Sequence, residues 1–177
     1  MKAKYAFSDL RRDMTCPVVY AAIADMGGGV KFVKVGHTRE LIGRLPSIQT
    51  GCPVQIGDVA YARLRDTDIA RRAESLIHTV MKPYISQGEW FRFDLTDAEH
   101  KRVWDGAIPA VLNALVGKGH WTLKSVNYGE MREAANEARR RATSVRRKRH
   151  FARAKWDREL RANDKIKGNG RKEESAP

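Results

Sequence analysis

Residues 18–36 read VVYAAIADMGGGVKFVKVG. Val18–Ile23 is an apolar run behind Pro17, which suits a buried strand. Asp25–Gly29 supplies a glycine-rich turn. Val30–Gly36 reads as a second strand, so the stretch predicts a β-hairpin.

Outward from the hairpin, Thr38 can cap a short helix running to about Leu45. Pro46 and the Gly51–Pro53 stretch end that helix and open a loop. Gln55–Arg65 has the length of a third strand, and Asp66, Thr67 and Asp68 are capping residues for a second helix. Ala70, Ala73, Leu76, Ile77, Val80 and Met81 follow helical spacing and predict its buried face, which Pro83 closes. Trp90–Phe93 reads as a short edge strand. Asp94–Val116 reads as a further amphipathic helix, with Val103, Ile108, Val111, Leu112 and Leu115 inward despite Gly106 and Pro109. The order predicts a small mixed α/β (α+β) domain on an antiparallel sheet. Trp90, Phe91 and Trp104 read as core; Trp121 and Trp156, in polar surroundings, are the better candidates for stacking on bases.

The chain has 177 residues and a formal charge of +13, which points to a polyanionic partner. Residues 1–129 carry 18 basic and 13 acidic side chains, whereas residues 130–177 carry 16 and 8. Arg139 to Trp156 holds nine Lys or Arg and no acid. Glu130 to Leu160 lacks Gly and Pro and is rich in helix formers, so it reads as a basic helix. Arg139, Arg140, Arg141, Arg146, Arg147, Lys148, Arg149 and Arg153 are its candidate contacts to a nucleic-acid backbone. The plainer alternative is a solvated tail. Lys165 to Pro177 reads as disordered.

Several classes are excluded. No stretch approaches the ~18 apolar residues of a membrane span. Met1–Asp13 holds four basic residues and no apolar segment, so a secretory signal is not expected and the expected location is cytoplasmic. Two cysteines, Cys16 and Cys52, exclude a disulfide scaffold and a four-Cys zinc site.

Five residues stand out from a purely structural reading. Arg44 lies beside the apolar stripe of the first helix, as a phosphate ligand or as a guanidinium snorkelling from the edge. Glu74 falls at the border of the second helix's apolar face, as a ligand for a divalent metal or as an ion-pair partner of Arg71 or His78. Tyr20 sits in an apolar strand, where most tyrosines are core. Lys34 breaks the second strand's apolar run, and His37 follows it.

Together these residues resemble the GIY-YIG nuclease superfamily, and within it the phage-type DNA-binding or GIY-YIG-like branch. Val18-Val19-Tyr20 stands for the first tripeptide and Lys34-Val35-Gly36, followed by His37-Thr38, for the second. Arg44 follows Gly36 by eight residues, the spacing of the family's essential Arg. Arg44-Leu45-Pro46-Ser47-Ile48-Gln49-Thr50-Gly51-Cys52-Pro53 is similar to the branch's Arg-Leu-x-x-Leu-Gln-Thr-Gly-x-Pro loop. Ala73-Glu74-x-x-Ile77-His78 resembles its acidic helix, and Gly88-Glu89-Trp90-Phe91 its closing motif.

The resemblance implies a three-stranded antiparallel sheet flanked by helices, and hydrolysis of DNA phosphodiesters with Mg²⁺ or Mn²⁺. It implies that Glu74 binds the metal, that Arg44 holds the scissile phosphate, and that Tyr20 orients or deprotonates the attacking water. The first tripeptide lacks the family's Gly and Ile, and Lys34 stands where many members have Tyr; His37 is a candidate spare base. The implied organisation is an N-terminal extension (1–14), a nuclease domain (15–94), a packing helix (95–116), a linker (117–129), a basic helical DNA-binding extension (130–164) and a tail (165–177). Two other readings stand beside the nuclease: a non-catalytic DNA-binding module on the same fold, and an RNA-binding protein. The branch resembles phage or bacterial gene products.

Overall fold

A computed structural model describes the backbone of residues 16–52 and 54–173, and side chains through Trp156 apart from residues 134, 138 and 155. The expected extension over residues 1–14 lies outside the described residues.

The hairpin forms as its sequence dictates. Strand β1 (Val18–Gly27) pairs antiparallel with β2 (Val30–Thr38), with Val18 opposite Thr38. Gly27, Gly28 and Gly29 all take positive φ, at 81°, 58° and 85°, a region that side chains with a Cβ rarely enter. Helix α1 (Leu41–Thr50), strand β3 (Ile56–Arg63) and helix α2 (Thr67–Met81) follow. Asp66 caps α2, its carboxylate accepting from Ile69 N at 2.8 Å. A 3-10 turn (Lys82–Tyr84) leads to β4 (Ile85–Gln87) and β5 (Trp90–Asp94). Then come α3 (Ala98–Val116), β6 (Leu123–Asn127) and α4 (Tyr128–Glu173).

Among the described residues the sheet has six strands in the order β4-β5-β2-β1-β3-β6, with every pair antiparallel. This corrects the expected three-stranded sheet. The expected strands β1, β2 and β3 form its middle. The Trp90 strand is interior rather than an edge, because β4 pairs on its far side. Strand β6 arises inside the stretch read as a linker: its residues LKSVN bury only Val126, so they carry no apolar alternation.

Both faces of the sheet are covered, which explains the unbroken apolar run of β1. Val19, Ala21, Val33 and Val35 pack under Ala70, Ala73 and Ile77 of α2 and Val111 and Leu112 of α3. Val18, Tyr20 and Ala22 face Leu41, Leu45 and Ile48 of α1 and Met131 at the start of α4. Trp90 and Phe91 are buried, and Trp104 packs against the first cluster. Trp121 also packs there, with its indole N–H donating to Asn113 at 3.0 Å, so its ring is engaged within the fold.

Three local expectations are corrected. Helix α1 runs through Pro46 instead of ending there. Ser47 and Thr50 hydroxyls donate to the Arg44 and Pro46 carbonyls, at 2.7 and 3.0 Å, and burial of Leu41, Leu45 and Ile48 outweighs the lost proline donor. Thr38 does not cap this helix: the cap position is Glu40, and the Thr38 hydroxyl accepts from Glu40 N at 3.1 Å. Leu76 and Val80, expected inward, are 38% and 45% exposed. They sit at the margin of a face that Ala70, Ala73, Ile77 and Met81 already fill.

Two compact units are distinguished, Met1–Ala134 and Ala135–Pro177. The first holds the sheet, α1 to α3 and the first turns of α4; the second is the rest of α4. This helix reaches Glu173, past the start of the tail read as disordered, since extending a helix avoids a new nucleation cost. No helix among the described residues is long and apolar enough to cross a membrane.

Candidate active site

The ladder between β5 and β2 runs from Val30–Asp94 to Lys34–Trp90, and the end of β2 projects past it. At Val35 a side chain takes over: His78 Nε2, on α2, donates to the Val35 carbonyl at 3.1 Å. The His78 ring also stands edge-on to Phe91, with centroids 5.1 Å apart. This notch is where groups from several elements meet.

Tyr20 stands opposite Gly36 and is 2% exposed. A Cβ at Gly36 would overlap the Tyr20 ring and hydroxyl, so the ring lies across the glycine. Burial pushes the Tyr20 phenol above its usual range. A hydrogen bond from Arg44 and its positive charge oppose that rise, while the carboxylates of Glu74 and Glu89 add to it. Tyr20 is therefore a neutral phenol at physiological pH, within reach of Arg44 and inside the field of both acids.

Arg44 is exposed on α1, and its Nη1 donates to Ser47 Oγ at 3.4 Å, a long and weak contact that leaves the fork able to take an anion. Glu74 projects from α2 and meets His37 on β2, Oε2 against Nδ1. A carboxylate only accepts, so Nδ1 carries the hydrogen and a neutral His37 keeps its lone pair on Nε2. Glu74 thus finds its partner on another element, rather than Arg71 or His78 on its own helix. Arg71 pairs with Asp68 instead, at 3.5 Å. Lys34 Nζ donates to Glu89 Oε2 at 2.6 Å. Lys34 holds the Glu89 carboxyl below its usual range, with lesser help from His78 and Arg44.

The structure therefore gathers all five sequence candidates, Tyr20, Lys34, His37, Arg44 and Glu74, and adds two residues. In the sequence Glu89 stands in a motif without a role of its own, and His78 is only a neighbour of Glu74. A groove of about 470 Å³ opens beside them, lined in part by Arg71, Glu74, Ser75, His78, Lys82 and Glu89.

Among the described residues, no group of three or more His, Cys, Asp or Glu side chains is arranged to hold a metal ion. The partly exposed Glu74 carboxylate on this groove fits Mg²⁺, which keeps several waters and draws further oxygens from substrate phosphates. Mn²⁺ suits the same oxygen donors.

The eight basic candidates on α4 are all exposed and belong to the second compact unit. Arg141 pairs with Glu137 one turn earlier, and the Arg147 guanidinium lies 5.8 Å from the Phe151 ring centroid. Trp156, 63% exposed, keeps a face open to solvent.

Residues 18–105 match the family model of the T5orf172 domain. The matched stretch runs from β1 into α3 and contains every residue of the notch, while β6 and α4 lie outside it. No curated protein and no solved structure matches the chain.

Proposed function

We propose that the protein is a DNA endonuclease of the GIY-YIG type, which hydrolyses phosphodiester bonds with Mg²⁺ or Mn²⁺ and uses the basic helix to hold the DNA backbone. The observation that carries this reading is the convergence of Tyr20, Arg44 and Glu74 on one notch beside an open groove. The T5orf172 match over the same residues supports a DNA-acting role.

Each residue then has a defined task. Glu74 would hold the metal, which neutralises charge on the leaving oxygen. Arg44 binds a non-bridging phosphate oxygen and stabilises the charge that builds in the transition state. Tyr20, whose phenol burial pushes up, orients the attacking water through a hydrogen bond. His37 Nε2 takes the water's proton, with the Glu74 carboxylate fixing the tautomer through Nδ1. Lys34 adds a second cation for the phosphate.

A carboxylate such as Glu74 repels DNA unless it carries a cation, so the notch is costly for a protein that only binds. The test is conversion of supercoiled plasmid to nicked or linear forms with Mg²⁺ or Mn²⁺, and its loss on chelation.

A further inference from the structure

The Lys34–Glu89 pair is unequal. Lys34 comes from the middle of β2 and its side chain is 20% exposed, whereas that of Glu89 is 66% exposed. Glu89 sits in the two-residue turn Gly88–Glu89 that joins β4 to β5, with Gly88 at φ 57°. Among the described residues, Lys34 is the one hydrogen-bond partner of its carboxylate, at 2.6 Å. Arg44 is close enough to favour the same anion, and Tyr20 senses both Arg44 and Glu89. An exposed carboxylate thus rests on a largely buried ammonium, with a guanidinium close by.

We infer that Glu89 is an exchangeable counter-ion, its carboxylate standing where a DNA phosphate binds between Lys34 and Arg44. The inference rests on the proposed DNA-acting role and deepens it. A carboxylate offers two oxygens and one negative charge, as does a phosphodiester, so the same donors serve both. The Glu89 end of the pair is exposed and screened by solvent, so substrate can displace it. Its side chain leaves by rotation at a turn, with the strand pairing intact. Until DNA arrives, Glu89 keeps Lys34 paired and in place. The device also disfavours small anions, which cannot add the other interactions of a DNA strand.

A double-mutant cycle on binding tests this, using a fluorescent duplex oligonucleotide, the full chain, and chelator to prevent cleavage. Glu89→Gln should tighten DNA binding by about 2–5-fold, the scale of one exposed ion pair. Lys34→Met should weaken binding. In the Lys34→Met background, Glu89→Gln should give no gain, because the site that Glu89 blocks is gone. An equal gain with and without Lys34 would overturn the proposal, leaving only generic charge removal. Weaker binding by Glu89→Gln in an otherwise native chain would overturn it too. Thermal melting of the three variants separates misfolding from site effects. Cleavage is scored separately: a coupled cycle in a chain that never cuts would remove the nuclease reading and keep the role of Glu89. An additive cycle in a chain that cuts would do the reverse.

Discussion

Gly36 faces Tyr20 across the β1–β2 ladder, and the Tyr20 ring fills the volume that a Cβ at Gly36 would need. The glycine that closes the second tripeptide is thereby tied to the tyrosine that closes the first. Gly36→Ala should cost about 1–3 kcal/mol, the usual range for overpacking a core. It should also push the hydroxyl off Arg44. Urea unfolding and plasmid cleavage of this variant check both: stability and cutting should fall together, and a variant of unchanged stability would show that the ring has other room.

The raised ionisation of Tyr20 has a definite sign. Below pH 10, the usual tyrosine value, the phenol is neutral in the folded and unfolded chain, and its burial contributes fully to stability. Above it the unfolded chain loses the proton first, so that contribution is lost as pH rises through the folded value. Tyr20→Phe should therefore flatten the fall in stability above about pH 10. Urea midpoints across that range check it. The same variant should lose cleavage at neutral pH while retaining its fold, since the task proposed for the phenol is orientation.

Glu74 and His37 should separate binding from chemistry. Glu74→Gln removes the anion for the metal, so metal-dependent cleavage should disappear, while DNA binding in chelator should hold or tighten. His37→Ala should lower kcat by about 10²–10⁴, the scale of general base catalysis, with KM little changed. Single-turnover kinetics with saturating protein would show this. Unchanged rates would remove His37 from the proton path.

The basic helix should act through salt. A cut at residue 130 would strip Met131 from the core, where it is 1% exposed, so the informative truncation ends at Ala134. The shortened chain should melt cooperatively and bind DNA more weakly. Its plot of log affinity against log salt should be shallower by about 0.9 for each duplex phosphate that α4 neutralises. An unchanged slope would mean that α4 does not touch the backbone.

Parts of this architecture are legible in the sequence and parts are concealed. The β1–β2 hairpin is readable because its turn needs positive φ, which the glycine run supplies without strain, and the start of α2 because Asp66 is a strong cap. Tyr20, Lys34, His37, Arg44 and Glu74 can be named from spaced motifs. Their meeting cannot, because it depends on where β5 stops along β2. Strands β4 and β6 are hidden: β4 is three exposed residues, and β6 is defined by its pairing with β3 rather than by its own pattern. Glu89 is hidden for a similar reason, since a glutamate in a turn is ordinary until Lys34 is found 2.6 Å away.

The most direct measurement compares plasmid cleavage by the native chain, Glu74→Ala and Arg44→Ala in Mg²⁺ or Mn²⁺, with DNA binding measured in parallel. Metal-dependent nicking or linearisation by the native chain, lost in both variants while Glu74→Ala still binds, is the expected result. A native chain that binds DNA without cutting it would contradict the nuclease assignment. Cleavage that persists without Glu74 would contradict its role as the metal ligand.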